Sequence, residues 1–272
     1  MLYVKKEKIE EIIDQLGLDG QDYAVYVDLR FYIKNINNPA IDYVIKYYTQ
    51  DELVKLLSIT RKLLSDHFKT SAHMIYSTNK VYYDELPEYK SEFYDKYMDN
   101  EDVVENSSNF LNAFRHLKNL STVSGDKDFI DPSEFGKDEF EFIKQEQPNK
   151  KLIVISRETI FEGYDDIILI TPDELNRGVL KEKSIPNYYK VILSLIGYES
   201  YSLEKIPGIG IKTAEKIIGR LLDNNIYIYY NSTRERQPVF PIRYEDLVTV
   251  SKNITIDQYN DIILSNWKFL NR

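Results

Sequence analysis

The sequence predicts an α/β fold built on a parallel sheet. Short apolar runs rich in β-formers recur at residues 23–29, 72–76, 152–156 and 166–170. Segments with helical spacing of apolar residues separate them, the alternation that a parallel sheet with crossover helices requires. The runs are almost continuously apolar, as strands buried on both faces must be.

The elements follow in order. Residues 5–16 predict a helix with Ile9, Ile12, Ile13 and Leu16 on one face, and Asp19-Gly20 a turn. YAVYVDL (23–29) predicts a strand that closes on an acid. Residues 51–68 repeat Leu53, Leu56, Leu57, Leu63, Leu64 and Phe68 at helical spacing, and Ala72–Tyr76 predicts the next strand. From about 79 to 109 the pattern weakens and acids crowd together, which predicts a solvated excursion. NFLNAFRHLKNL (109–120) returns to helix, and a short helix is expected near 137–146. LIVIS (152–156) and DIILI (166–170) predict two more strands. The Pro, Gly and charges of PDELNRGVLKEKSIP mark a boundary. The expected domains are a core at 1–175, with the excursion at about 79–109, and a helical region at 176–272. The latter holds helices at 188–196, 211–222 and 256–268.

Composition narrows the chemistry. The chain has 272 residues, 35 basic against 44 acidic, and a formal charge of −9. A global basic field is excluded, so a nucleic acid would need a local patch. Cysteine is absent, which excludes thiol nucleophiles and sulfur-ligated metals. The three histidines, His67, His73 and His116, lack the spacing of a triad or metal site. A bound metal would need carboxylates, favouring Mg²⁺ or Mn²⁺. No apolar stretch is long enough for a membrane helix. The N-terminal segment reads as an amphipathic helix rather than a signal peptide, so the expected location is the cytoplasm.

IPGIGIKTAEKII (206–218) is the most specific motif. Its glycines allow a tight turn directly before a helix, whose first N–H groups then point outward with the positive end of the helix dipole. Lys212 and Lys216 lie one turn apart beside it. Gly208, Ile209, Gly210, Lys212, Thr213 and Lys216 therefore form a candidate phosphate cradle, the hairpin of a helix-hairpin-helix element that grips DNA without reading bases. Arg234, Arg236 and Arg243 could add phosphate contacts, and Tyr227, Tyr229 and Tyr230 could stack on bases.

IPGIGIKTA, with LSLIGY upstream, resembles the flap endonuclease and 5′–3′ exonuclease family. YYDELPEYK (82–90), YVDL (26–29), LIVISRETIF (152–161) and the C-terminal TIDQYNDIILSNWKFLNR extend the resemblance in the family's order, closest to the bacteriophage ribonuclease H branch. The resemblance implies a PIN-like core, an arch beginning near Lys90, and a helix-three-turn-helix element. It implies two divalent ions in a ring of carboxylates, and allows a potassium ion at the hairpin. Duplex or branched DNA is then the expected partner, with replication proteins beside it, in a phage-infected bacterial host.

The sequence departs from the family at its acids. Tyr198 and Tyr201 stand where a pair of aspartates precedes the hairpin. Ile160 replaces one acid of the cluster after LIVIS, and Glu158 another. Tyr76 or Ser77 stands at the end of the second strand. Asp28 is kept, and Asp138 or Glu139 could supply one further acid. Asp28 and Glu158 could thus hold a single ion, while the second ion's ligands are replaced. The expectation is a DNA-binding protein that has lost or weakened hydrolysis. An active nuclease using Asp126, Asp128, Asp165 or Asp166 is the alternative, and a protein-interaction scaffold another.

Overall fold

The computed structural model describes residues 5–18, 22–30, 48–78, 101–146, 150–181, 186–198, 203–223, 242–251 and 254–271. The chain divides into two compact units, one of 1–161 and 166–182, the other of 162–165 and 183–272.

The first unit is α/β. Helix α1 (Lys6–Leu16) precedes strand β1 (Tyr23–Asp28). Helix α2 (Gln50–Phe68), β2 (Ala72–Ile75), α3 (Glu101–Ser124) and β3 (Phe129–Ile130) follow. Then come α4 (Glu139–Glu146), β4 (Lys151–Ile155), β5 (Ile167–Ile170) and α5 (Pro172–Arg177). The five strands form one sheet in the order β3-β2-β1-β4-β5, and every pair is parallel.

Strand alternation sorts the side chains. Val25 and Val27 share one face with Met74, Ile153 and Ile155, against Leu53, Leu57, Leu64 and Phe68 of α2 and Phe110 and Phe114 of α3. Ala24 and Tyr26, on the other face of β1, are buried as well. Asp28 shares that second face, four and two residues beyond them. Helix α2 starts where Thr49 and Glu52 exchange hydrogen bonds across its first turn. Gln15 ties α1 to the chain after α5, donating to the Gly178 carbonyl at 2.7 Å and accepting from the Leu180 N–H at 3.0 Å.

Three elements differ from the sequence reading. Residues 101–108 are not part of an excursion but the opening of α3. Asn106 accepts from the Tyr48 N–H and Asn109 donates to the Tyr48 carbonyl, both at 2.8 Å, pinning these turns to the entry of α2. Residues 79–100, with Lys90, lie outside the described residues. Strand β3 was not expected: two residues are too short for periodicity, and it exists because β2 bonds to it. The 256–268 helix is present and runs unbroken over 256–270, but Gln258–Ile263 takes the wider π register before the α-helix resumes.

The second unit packs α6 (Pro186–Ile196), α7 (Ile211–Asp223), α8 (Tyr244–Val250) and α9 (Leu264–Leu270). Val191, Leu195, Ile206, Ile209, Ala214, Ile217, Leu221, Leu247, Ile263 and Trp267 form its core. Among the described residues, no helix is long and apolar enough to cross a membrane.

The turn after α6 depends on Gly197. Its φ is +68°, and an added Cβ would lie 2.4 Å from the Leu203 carbonyl oxygen and 2.6 Å from that of Glu204. Both are backbone atoms that cannot swing aside. Gly197→Ala should therefore cost this unit about 1–3 kcal/mol. Urea unfolding followed by fluorescence of Trp267, the single tryptophan and buried in this unit, checks it.

Candidate functional site

The sheet order defines one candidate site. The chain runs outward from β1 to β2 and β3, then returns to β4 on the other side of β1. Parallel sheets bind ligands at such a switch point, beyond the C-terminal ends of the strands. The ladder continues past the strand ends: the N–H groups of Leu29, Tyr76 and Ser156 bond to the carbonyls of Ile75, Ile130 and Ile170. These bonds fix where Asp28, Ser77 and Ser156 emerge.

Asp28 is only 1% exposed. Arg30 folds back over it: Nε donates to Oδ1 at 2.9 Å, Nη2 to Oδ2 at 2.7 Å, and the Arg30 backbone N–H to Oδ1 at 3.0 Å. From across the switch point, Ser156 Oγ donates to Oδ2 at 2.7 Å. Ser156 Oγ in turn accepts the N–H of the buried Glu158 at 3.0 Å.

The two acids left as alternatives separate. Asp138 caps α4 by accepting the Glu141 N–H at 2.7 Å. Glu139 turns inward, also 1% exposed. Its Oε1 accepts the Ser77 N–H at 2.8 Å, and its Oε2 lies 3.6 Å from Arg30 Nη1. That Oε2 is buried and has no hydrogen-bond partner. Next along the chain, Thr78 donates its N–H and its hydroxyl to Asp131.

The two inward carboxylates respond oppositely. Burial alone would raise the Asp28 pKa, but the Arg30 charge and the hydrogen bonds from Arg30 and Ser156 outweigh it and hold the carboxyl below 3.8. For Glu139 burial prevails. Arg30 opposes it, the Asp28 charge reinforces it, and the carboxyl lies above 4.5. The shared guanidinium lowers both, but only Asp28 also receives its hydrogen bonds and that of Ser156, so the two directions part.

The other expected positions lie elsewhere. Tyr76 is buried edge-on against Phe110 and Phe114, and Ile160 is fully buried. Asp126 and Asp128 stand in the loop before β3, with Asp128 paired to Arg61 at 2.8 Å. Asp165 and Asp166 are exposed before β5. His67 lies 3.6 Å from Glu10, His73 Nδ1 bonds to the Lys127 carbonyl, and His116 is exposed. Among the described residues, no three acidic or histidine side chains gather closely enough to hold a metal ion. The ring of carboxylates implied by the resemblance does not fit this donor set, because both Asp28 oxygens are bonded to Arg30. Arg30 and Ser156 were missed, while Ser77, one of the two residues expected at the end of the second strand, enters through its backbone N–H. An arginine two residues after a strand-ending acid is the one signal that could have pointed to the first.

The second candidate site is the turn between α6 and α7. Tyr198 and Leu203 exchange backbone hydrogen bonds at 3.0 Å, closing a short antiparallel bridge. Tyr201 lies outside the described residues. Ile206 is buried, Gly208 has φ +79°, and Gly210 begins α7 by accepting from the N–H groups of Thr213 and Ala214 at 2.9 Å. A Cβ on Gly208 or Gly210 would meet nothing within 4 Å. Gly210 has no left-handed φ either, so the fold does not itself demand glycine there. Lys212, Thr213 and Lys216 are exposed on the same helix start. Ile209 departs from its expected role: its side chain is buried and its N–H donates to the Ile206 carbonyl at 3.1 Å. Arg243 pairs with Asp246 at 2.9 Å, while Tyr227, Tyr229, Tyr230, Arg234 and Arg236 lie outside the described residues.

No protein-family model matches the chain, and no curated protein or solved structure matches it.

The opposed carboxylates give the first unit a readable pH dependence. Asp28's contribution to stability is complete above pH 3.8 and disappears as pH falls through its lowered value. Glu139 binds its proton more tightly folded than unfolded. Its contribution is complete below pH 4.5 and is lost as pH rises through its raised value. Glu139→Gln carries a fixed neutral amide. Whatever its absolute stability, it should gain on wild type as pH rises from mildly acid to neutral, measured by thermal melting in matched buffers.

Proposed function

We propose that this protein binds duplex or branched DNA through the sugar–phosphate backbone, on a PIN-like scaffold resembling the 5′ nucleases, without cutting as they do. The observation that supports the binding reading most is the open turn before α7. Its inner side is closed by Ile206 and Ile209, and its outer side carries glycines with empty space around them. A phosphate can approach backbone at a glycine that no neighbouring atom crowds. With the N–H groups of Thr213 and Ala214 bonded to Gly210, those of Ile211 and Lys212 open the helix, and the dipole adds positive charge. Lys212 and Lys216 stand beside them. This is a helix-hairpin-helix grip in the present reading, and it reads no bases.

Impaired hydrolysis is supported by the state of Asp28. In the two-ion reaction, carboxylates must be available to the ions that hold the attacking and leaving oxygens. Here the strand-end carboxylate is bonded on both oxygens to a guanidinium of its own chain. A protein of this kind would hold ends or junctions during replication rather than process them.

Lys212→Glu tests the reading cleanly. An acid in the first turn of α7 suits the helix dipole by about 0.3–1 kcal/mol, so the fold is not harmed. Affinity for a 5′-flap duplex, read by fluorescence anisotropy at low salt, should fall about tenfold or more. Wild-type binding should weaken steeply with added salt, and no cleavage should accompany it in Mn²⁺. Equal affinity for the variant overturns the binding site. Cleavage abolished by Asp28→Ala overturns the loss of hydrolysis.

A further inference from the structure

The carboxylates at the end of β1 do not lack a cation, because the chain supplies one. We infer that Arg30 is the built-in counter-cation of Asp28 and Glu139, and that its guanidinium keeps a divalent ion out of the space between them. The proposal rests on the reading of a scaffold impaired in hydrolysis, and deepens it by naming the side chain responsible.

The geometry carries it. Arg30 presents Nε and Nη2 to the two oxygens of Asp28, the paired arrangement that a planar guanidinium and a carboxylate prefer. The third nitrogen, Nη1, faces Glu139 Oε2 at 3.6 Å. The guanidinium thus stands between two carboxylates from different elements, both about as deeply buried as a side chain can be.

Glu139 Oε2 is an independent observation. It is buried, it accepts no hydrogen bond, and it points toward the cation from beyond hydrogen-bond distance. A flat guanidinium committed to Asp28 cannot turn to meet it. A small spherical ion has no such directional limit. Mg²⁺ and Mn²⁺ are commonly held by one or two carboxylates with water completing the shell. Two carboxylates are what would remain if the guanidinium left.

Arg30 can be removed without its charge being the only thing tested. Arg30→Met keeps the apolar stem and deletes the cation, and Arg30→Lys keeps a cation in a different shape. Mn²⁺ alone is the probe, read by water-proton relaxation. Arg30→Met should bind Mn²⁺ about tenfold or more tightly than wild type. Adding Glu139→Gln to it should abolish the gain, and Arg30→Lys should resemble wild type. A folded Arg30→Met with no gain overturns the proposal. If Arg30→Met does not fold, wild type against Asp28→Asn decides. Wild-type Mn²⁺ binding that vanishes in Asp28→Asn means that Arg30 does not exclude the ion, whereas no Asp28-dependent binding upholds it. DNA affinity measured on the same proteins is a separate readout, so failure here and failure of the DNA-binding reading can be told apart.

Discussion

An acid placed at the end of an inner strand, in a sheet covered on both faces, must be neutralised from within the protein. Asp28 is in that position, and water cannot solvate it there. Arg30 meets the need from two residues away, and Ser156 completes it from the neighbouring strand. Removing one partner from a pair of this kind costs about 3–5 kcal/mol, since the other is left buried and charged. The rest of the strand-end architecture follows. Ser156 is oriented by the donation it receives from Glu158. Glu139 is held by the Ser77 amide, and burial raises its pKa against the opposing charge of Arg30, with the Asp28 charge adding to the rise.

The two candidate sites show opposite uses of polar groups. At the sheet end, polar atoms turn inward and are nearly all satisfied, Glu139 Oε2 excepted. Such a network resists change, because displacing any member leaves another unpaired in a medium that penalises it. At the turn before α7, the apolar residues Ile206 and Ile209 turn inward and the backbone of the glycines is left open. In the proposed reading, a phosphate backbone would approach that surface without rearranging it. A molecule that grips a phosphate backbone needs the second arrangement. One that hydrolyses it needs the first to hold metal ions, where here it holds an arginine.

Patterning made much of the scaffold legible. The four long apolar runs are strands, and the leucine spacing at 51–68 is helix α2. Asp28 was legible as an acid closing an apolar run. Local patterning failed where an element owes its existence to a distant one. Strand β3 is two residues held by β2, and the first turns of α3 are held by Tyr48, whose side of the contact lies 58 residues earlier. Between Asp138 and Glu139 the sequence left no basis for choice. The choice was made by which way α4 starts, with Asp138 spent on its cap and Glu139 left facing Arg30.

The sequence alone determined the class of the fold, the absence of sulfur chemistry, the glycine turn and the lysines flanking it. These are properties of composition and of residues close together in the chain, so neighbouring side chains and backbone sterics settle them. The tertiary structure alone decided that Ser156 reaches Asp28 across 128 residues, and that Tyr76 belongs to the core. It also decided that Arg30 stands between Asp28 and a Glu139 over a hundred residues away. Electrostatics acts through distance in space, and the order of strands in the sheet sets that distance.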